Sequence, residues 1–342
     1  MKKVVFIGPI KQNEIPCDGV TVKNNHLLDA LKMYCNVSVC DTYYWKTRPW
    51  ILTEILFKTL FCGDATIVLS LNSSSAYRMI RILKFFGKDK QSVYFAAGGR
   101  FHEMLKNGEL KGGNYMRLRC ILVQGKAMKS ELHGLGLQNV SYLPNFRRFE
   151  RLPRRLHRKD NRLRFVFCSR ILPEKGCDIV FEAIEKLREY EKQFTIDFYG
   201  PISELYENVF QRKISLYENA EYHGTLNLRK PENYDVLAKY DVMLFPTYWD
   251  GEGCPGAVLD AYFAGLPVVA SDWNCNSEVV VPNETGWLIP HKDADTLAEM
   301  MKKLIAGEFD LDAMRDKCQK LAMKFSVENV LSADFFQNIG VV

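Results

Sequence analysis

Paired cysteines are absent from this sequence: its ten cysteines are scattered singly along 342 residues, and none forms a C-x-x-C pair. That pattern argues against a disulfide framework and a zinc site, and it is typical of reduced thiols in a cytosol. No segment approaches the ~20 apolar residues of a membrane-spanning helix. The apolar segment at residues 4–10 is too short for the core of a signal peptide. We therefore expect a cytoplasmic protein.

A dinucleotide-binding fingerprint is also absent. No G-x-G-x-x-G follows the first predicted strand at residues 4–8, which counts against an NAD enzyme. Along the chain, no group of His, Asp and Glu has the spacing of metal ligands, so we expect neither a metal nor a cofactor. The remaining composition is ordinary, with 47% apolar residues, 25% charged residues and a net charge of +5. These values are typical of a soluble globular chain, and its length favours two domains.

Apolar runs that suit β-strands alternate with segments of helical spacing in both halves of the sequence. In the first half the runs lie at residues 4–8, 37–41, 66–71, 93–98, 120–124 and 140–145. In the second half they lie at residues 163–169, 194–200, 220–224, 240–247, 267–271 and 286–290. This alternation predicts an α/β protein whose parallel sheets are covered on both faces, with ligands bound beyond the carboxyl ends of the strands.

The stretch at residues 242–272 begins and ends with an apolar strand, and it holds a glycine-rich loop and a short helix between them. Pro255 suits the first helical position, and Gly265 suits the left-handed residue after the last turn. The unpaired N–H groups at the start of such a helix, with the positive end of its dipole, form an anion site. Glu252 lies just before the helix and Asp260 inside it. Phosphates on the backbone donors and hydroxyls on the carboxylates would suit a nucleotide sugar.

The pattern Glu252-x7-Asp260, followed by AGLPVVAS, resembles the donor-site signature of the retaining glycosyltransferases called "group 1" or family four, a class with bacterial surface-polysaccharide enzymes. In that class the second acid is Glu, so Asp260 is a departure, and we expect it to alter reach without loss of function. The alternative is an ordinary strand–loop–helix–strand unit whose acids are solvated. The resemblance implies the GT-B architecture: two Rossmann-like, doubly wound α/β domains with a cleft between them.

A second motif resembles the S-R-L-x-x-x-K-G-x-D element of the same class and runs from Ser169 to Asp178. The resemblance places Arg170 and Lys175 opposite the helix that starts near Gly256. Fixed cations can stabilise the charge on a departing diphosphate, so no metal is required. The alternative is a pair of solvated loop cations.

The resemblance also implies roles for single residues. Glu252 would hold the sugar hydroxyls or stabilise the cationic transition state, and Asp260 would hold the ribose. The loop residues around the helix start would bind the donor, namely Gly253, Cys254, Gly256 and Ala257. Beyond Gly224, the backbone at Leu226 would touch the base, and the alternative there is a plain turn.

Three residues of the first half complete the predicted site. Gly19 matches a glycine that approaches the donor phosphates, and the alternative is a turn glycine. Asp18 beside it is predicted on the acceptor side. His102 follows the Gly98-Gly99 turn and is predicted as an acceptor-side group able to transfer protons near neutral pH. Capping or packing of a helix is the alternative for His102.

The predicted domains are residues 1–146 on the acceptor side, a basic linker at 147–162, a nucleotide-sugar domain at 163–325, and a helix at 326–342 that crosses back to the first domain. Residues 147–164 carry nine Lys and Arg against two Asp and Glu, a net charge of +7. No reading motif accompanies this run, so we expect no nucleic acid. Anionic lipid and a merely solvated linker both stay open.

Two further stretches suit a membrane surface. Residues 47–61 are apolar around most of a helix, and residues 77–90 combine basic with apolar side chains. A basic amphipathic helix can lie on anionic lipid, but such a helix can equally cover its own sheet. We keep both interpretations, and with them a peripheral location at the inner face of the plasma membrane.

The predicted function is that of a metal-independent, retaining hexosyltransferase. It would move a sugar from a UDP- or GDP-linked donor to an acceptor hydroxyl of a glycan or a lipid-linked carrier, in polysaccharide or lipid-linked glycan synthesis. Two alternatives stay open. One is a nucleotide-sugar epimerase of the same architecture, and the other is a non-catalytic module that binds a membrane or a partner.

Overall fold

A computed structural model describes residues 1–11, 19–154 and 161–342 of the chain. The chain divides into two compact units, Met1–Arg148 with Phe325–Val342, and Phe149–Lys324. The predicted acceptor-side Asp18 and residues 155–160 of the basic linker lie outside the described ranges. Within those ranges, none of the helices combines the length and apolar character that crossing a bilayer requires.

The first unit contains a six-stranded parallel sheet of strand order β2-β1-β3-β4-β5-β6. Its strands are β1 Lys3–Gly8, β2 Asn36–Asp41, β3 Thr66–Asn72, β4 Ser92–Ala97, β5 Cys120–Val123 and β6 Val140–Tyr142. Successive side chains of a strand point to opposite faces. On β1, Val5 and Ile7 accordingly join one apolar cluster while Val4 and Phe6 join another. The sheet is therefore buried on both faces.

Helices cover both faces of this sheet. They are α1 Gly19–Tyr34, α2 Trp50–Leu60, α3 Ser73–Phe85, α4 Phe101–Lys106 and α5 Lys126–Gly134. One apolar cluster takes in Ile51 of α2 and Met79 of α3, and the other takes in Leu27 of α1. For α3 the plain packing interpretation is thus the better one, because its buried residues cover the sheet.

The second unit contains a six-stranded parallel sheet of strand order β12-β11-β10-β7-β8-β9. Its strands are β7 Leu163–Cys168, β8 Phe194–Tyr199, β9 Ala220–Tyr222, β10 Val242–Phe245, β11 Val268–Ser271 and β12 Gly286–Ile289. The strand order reverses between β7 and β10, as in a doubly wound dinucleotide-type fold. Phe165 pairs with Val242 across this central position.

The helices of the second unit are α6 Cys177–Lys186, α7 Glu207–Ile214, α8 Tyr234–Leu237, α9 Gly256–Phe263, α10 Asn276–Val279, α11 Ala294–Ile305 and α12 Leu311–Met323. Phe165 and Phe198 of the sheet share one buried cluster with Phe181 of α6 and Met301 of α11. Two parallel sheets with helices on their faces confirm the predicted fold class.

The C-terminal segment is two short helices, α13 Val327–Val330 and α14 Ala333–Asn338, where the sequence predicts one helix at 326–342. The side chain of Ser332 accepts a hydrogen bond from Phe335 N at 3.2 Å and starts α14 as its N-cap. Serine favours this capped, extended backbone over continuation of a helix. Phe336 and Val341 then pack into the cluster of the first sheet.

Candidate functional site

The candidate site lies on the loops that follow β7 and β10, at the position where the strand order of the second sheet reverses. Open parallel sheets bind ligands outside the carboxyl ends of their strands at such a position. The sequence-predicted Arg170 and Lys175 follow β7, and Glu252 follows β10. Since β7 and β10 are hydrogen-bonded neighbours, the sheet brings these distant parts of the chain to one edge.

Gly176 allows the two loops to touch. It follows a 3-10 turn at Pro173–Lys175 and has a φ of +91°, in the left-handed region. A Cβ at this position would overlap the carbonyl oxygen of Pro246. One loop hydrogen-bonds the other here, because Tyr248 N donates to Glu174 O at 2.8 Å. A glycine is required, and its position keeps Lys175 beside the loop after β10.

Lys175 and Glu252 form an ion pair in which the Lys175 ammonium donates to Glu252 Oε2. Their side chains are only 8% and 13% exposed, so the pair is largely removed from water. Thr247 Oγ1 lies 3.3 Å from the same carboxylate oxygen. Attraction between charges is stronger at such a partly dry position than in bulk water. The residues predicted to bind phosphate and sugar are therefore in direct contact with each other.

Trp249 organises the loop that carries Glu252. Its carbonyl oxygen accepts hydrogen bonds from Glu252 N at 2.9 Å and from the indole of Trp273 at 3.0 Å. The side chain of Asn274 donates to Glu252 O at 3.1 Å. The Arg170 guanidinium lies 5.1 Å from the Trp249 ring centroid, within cation–π range. Arg170 and Glu252 thus share one tryptophan as a support.

Helix α9 begins one residue later than the sequence predicts. Pro255 has φ −72° and ψ 111° and is the N-cap, so the first helical residue is Gly256. The proline ring restricts φ but not ψ. Because ψ of Pro255 is extended, this residue precedes the helix as its N-cap and is not the first helical residue. Gly265 has φ +77° and ends the helix as predicted. The N–H groups of the first turn have no partner within the helix, as at every helix start.

The small residues around this start differ in burial. Gly253, Gly256 and Ala257 are half-buried, whereas Cys254 is buried. The three half-buried residues leave backbone accessible to a ligand. The Cys254 side chain is only 5% exposed, so it is not accessible to a donor.

Asp260 is 8% exposed, and its Oδ1 accepts a hydrogen bond of 2.7 Å from the Tyr234 hydroxyl. Tyr234 itself is 3% exposed. Burial raises the pKa of the nearby Cys168 thiol to about 12, and the Asp260 charge adds to this rise. Tyr234 thus holds the carboxylate predicted to bind ribose, and sequence analysis missed it because it belongs to no motif.

Part of the basic linker packs on the helices of the site. The Phe149 ring stacks on Phe263 of α9 at 4.0 Å between centroids. Arg151 forms two hydrogen bonds of 3.0 and 2.6 Å with Asp235 of α8, and Arg154 N donates to the same carboxylate at 2.7 Å. The Arg151 guanidinium lowers the pKa of Asp235 to about 2. Residues 149–154 thus contact helices of the second unit through Phe149, Arg151 and the Arg154 backbone, while Arg151, Leu152 and Arg154 are also exposed to solvent.

The predicted base contact lies in the loop after β9, where Leu226 is half-buried. Asp197 of β8 lies close to Glu221 of β9 and to His223, which follows β9. One potential ligand atom of each residue lies within 4.8 Å of the others. His223 Nε2 lies 3.3 Å from Asp197 Oδ2, and Tyr240 donates to that oxygen at 2.6 Å. Spacing along the chain did not reveal this group because β8 and β9 are neighbours only in the sheet. Among the described residues, this group is of the type that could hold a metal ion.

Gly19 and His102, the predicted site residues of the first half that the structure describes, lie in the first unit. Gly19 is the exposed first residue of α1, and a Cβ at this position would have no atom within 4 Å. His102 lies on α4, 18% exposed, with Nε2 3.7 Å from Glu131 Oε2 of α5. His102 therefore has at least a packing role between two helices of its own unit.

Residues 148–325 match the family model of the glycosyl transferases group 1. The matched segment is more than half of the chain. This chain belongs to the group 1 glycosyl transferases. The match includes Arg170, Lys175, Glu252 and Asp260, and it leaves Gly19 and His102 outside.

Individual relatives agree with this membership. The chain is 30% identical over 159 residues to the amylovoran biosynthesis glycosyltransferase AmsK of Erwinia amylovora, a match that covers 44% of this chain and 37% of AmsK. The alignment therefore spans about a third of that relative. The O-antigen biosynthesis glycosyltransferase WbnH of Escherichia coli is 23% identical, with 97% of this chain and 98% of WbnH covered.

A solved structure agrees over the whole chain. Anabaena Alr3699/HepE in complex with UDP superposes with a TM-score of 0.73 at 13% identity, covering 100% of both chains. At this identity the likeness establishes the fold, which is the GT-B architecture of the family.

Proposed function

We propose that this group 1 glycosyl transferase moves a sugar from a nucleoside diphosphate sugar, UDP- or GDP-linked, to an acceptor hydroxyl with retention of anomeric configuration. The observation that carries the proposal is the buried Lys175–Glu252 ion pair at the carboxyl ends of β7 and β10, one short loop before the start of α9. A cation, a carboxylate and free helix N–H groups meet where a doubly wound sheet binds its ligand.

In the proposed complex, the diphosphate binds Arg170, Lys175 and the first N–H groups of α9. A phosphate that binds Lys175 competes with Glu252 for its ammonium, which frees the carboxylate for the sugar hydroxyls. Asp260 binds the ribose, Leu226 contacts the base, and Gly253, Cys254 and Ala257 contribute backbone around the donor. Gly19 would approach the donor phosphates, with Asp18 and His102 on the acceptor side.

In the proposed reaction, the bond between the anomeric carbon and the diphosphate oxygen breaks. A bond from that carbon to the acceptor oxygen forms, and the proton of the acceptor hydroxyl passes to the oxygen of the leaving diphosphate. Arg170 and Lys175 stabilise the negative charge that develops on the leaving diphosphate. These two cations would supply the charge that a metal supplies in other transferases, so the transfer would need no added metal.

The acceptor is proposed to be a growing glycan or a lipid-linked carrier in surface-polysaccharide synthesis, at the inner face of the plasma membrane. The names of the relatives support this class, since AmsK and WbnH are glycosyltransferases of amylovoran and O-antigen biosynthesis. A structure of HepE in complex with UDP-glucose supports a uridine donor as the first to test.

The donor site is tested by thermal unfolding with UDP, GDP, CDP, ADP and dTDP. A ligand at about 100 times its dissociation constant adds ~2.7 kcal/mol to the native state. We expect one nucleotide to raise the melting temperature by several degrees, at ~2–4 °C per kcal/mol. Lys175→Ala should abolish this rise, while Lys186→Ala, which removes another ion-paired lysine of the same unit, should keep it. No response to any of the five nucleotides would contradict the proposed donor site.

The reaction type is tested with the sugar donor of the nucleotide that responds. Chromatography should find the sugar on the added acceptor, and NMR of the product should show the anomeric configuration of the donor. A changed sugar that is still attached to the nucleotide would contradict transfer and establish epimerisation.

A further inference from the structure

Helix α2 of the first unit exposes aromatic side chains on the face turned away from its own sheet. Trp50, Phe57 and Phe61 are 61%, 66% and 75% exposed. Spacings of seven and four residues place all three on one side of the helix axis, with Phe61 just after its last residue. The Phe57 and Phe61 rings contact each other at 4.9 Å between centroids. We call these three residues the aromatic stripe.

The opposite side of α2 is fixed to the protein. Ile51 and Ile55 are buried in the cluster of the first sheet, and Thr59 beside them is 1% exposed. Lys58 Nζ donates to Val39 O of β2 at 2.9 Å and pairs with Glu54. Packing of this side forces the aromatic stripe outward, so its exposure is a property of the fold and not of a loose side chain.

More apolar surface and several cations lie next to the stripe. The end of α3 exposes Phe85 and Phe86 at 83% and 45%. Lys88, two residues further on, donates to Gly63 O at 3.2 Å and so brings this chain segment to the end of α2. The segments at residues 45–64 and 84–90 together contain six Lys and Arg against three Asp and Glu, a net charge of +3.

We propose that the aromatic stripe, with Phe85 and Phe86 beside it, is the surface by which this protein lies on an anionic phospholipid bilayer. Tryptophan and phenylalanine partition into the interfacial layer of a membrane, and nearby lysines are attracted to anionic headgroups. A protein partner would account for the aromatic groups, but the surplus of cations around them favours an anionic surface. The proposed binding is at the surface of the membrane.

The aromatic stripe would hold the enzyme at the membrane, where the lipid-linked acceptor of the proposed function lies. The acceptor rests on the proposed function, whereas bilayer binding rests on the exposed residues alone. Binding can therefore be measured without donor or acceptor, and its failure is separate from failure of the transfer assay.

The experiment is flotation of the full chain with phosphatidylcholine vesicles, with and without about one-quarter phosphatidylglycerol. We expect binding to the anionic vesicles that weakens as salt is added, because salt screens the attraction of the cations. The triple variant Trp50→Ser, Phe57→Ser, Phe61→Ser should lose at least about tenfold in partition coefficient. Thermal unfolding of the variant, with the responding nucleotide, checks that it is folded.

A matched control removes exposed apolar groups elsewhere. Leu205, Leu216 and Val281 of the second unit are 98%, 63% and 40% exposed. Their joint replacement by Ser should leave vesicle binding unchanged. Equal losses in both triple variants would overturn the proposal, as would a chain that floats with neither vesicle type. A lower oligomeric mass of the stripe variant in lipid-free buffer would assign the stripe to contact between copies, and would overturn it as well.

Discussion

Lysine and glutamate are seldom buried unless they are paired, and Lys175 with Glu252 is such a pair. Each was predicted from its own motif, one in the loop after β7 and the other before α9. Neither motif states that the two side chains touch. The contact joins the two predicted site residues in one ion pair, and single substitutions can test whether sugar transfer needs both.

Lys175→Ala removes the cation and leaves the Glu252 carboxylate partly buried without its partner. We expect sugar transfer to fall by about 10²–10³-fold, since a fixed donor to the developing charge is lost. Glu252→Gln keeps the side-chain shape and should reduce transfer similarly. Steady-state kinetics with the responding donor measures both.

Lys186→Ala is the control for Lys175→Ala, because Lys186 pairs with Asp295 at 2.7 Å on the same unit and outside both motifs of the site. An exposed pair of this kind contributes little, so transfer should stay within about twofold. Wild-type turnover in both Lys175→Ala and Glu252→Gln would sink the assignment of the site.

Tyr234→Phe removes the hydroxyl that holds Asp260 and leaves the ring in its packing place. A hydrogen bond to a charged group contributes ~1.5–3 kcal/mol, and Asp260 is buried, so the melting temperature without ligand should fall by a few degrees. The carboxylate is also less well positioned for the nucleotide, and we expect the dissociation constant to rise by about five- to tenfold. Thermal unfolding measures the first effect and isothermal titration measures the second.

Tyr217→Phe is the matched control, since the Tyr217 hydroxyl also donates to a carboxylate, that of Glu185 at 3.1 Å. Its nucleotide affinity should equal that of wild type. If Tyr234→Phe binds the nucleotide as tightly as this control does, Asp260 is not positioned by Tyr234 for the ligand.

At the scale of elements, the sequence located all twelve strands within a few residues of their positions in the structure. Central parallel strands are short apolar runs, and that signal is local. The C-terminal segment was the failure, because a serine cap at Ser332 divides it into two helices. The cap replaces helix continuation through one hydrogen bond from the serine side chain, and the spacing of apolar residues gives no sign of that bond.

Gly176→Ala tests how the loop after β7 is held in place. A residue with φ +91° whose Cβ would overlap the Pro246 carbonyl cannot keep this backbone. We expect the free energy of unfolding to fall by about 2 kcal/mol or more, and transfer to fall with it because Lys175 moves. Urea unfolding and kinetics give the two measurements.

The control for Gly176→Ala is Gly134→Ala, at the end of α5, where no atom lies within 4 Å of the added Cβ. A helical glycine replaced by alanine should leave stability unchanged or raise it by up to ~1 kcal/mol. An equal loss in both variants would mean that the contact with Pro246 is not what makes Gly176 necessary.

At the scale of the whole molecule, the reactivity of the cysteines shows whether the apolar cores of both units are closed to solvent. Nine cysteines lie in the described residues, and most of them are buried. Burial raises the pKa of Cys40 in the first unit to about 11, and that of Cys275 in the second unit to about 12. The thiolate is the reactive form, so both thiols should stay protonated and unreactive at pH 8.

We expect iodoacetamide at pH 8 to label Cys40 and Cys275 far more slowly in the native protein than in urea. Cys62, which is only half-buried, is the internal reference and should react first. Mass spectrometry of the peptides measures each site separately. Equal labelling of Cys40 with and without urea would contradict a closed core in the first unit.

By itself the sequence determined the fold class, the strand positions and the family, and it predicted the charged residues of the candidate site. Those properties are carried by local patterns: apolar runs, turn glycines, and motifs within single loops. Tertiary structure alone decided which of these residues meet. It paired Lys175 with Glu252, placed Tyr234 on Asp260, gathered Asp197, Glu221 and His223, and turned one side of α2 outward. The contacts depend on strand order and helix packing, which join residues far apart in the chain and leave no spacing for a sequence pattern to detect. For α2 the sequence showed apolar residues around most of the helix, and only packing decided which of them stay exposed.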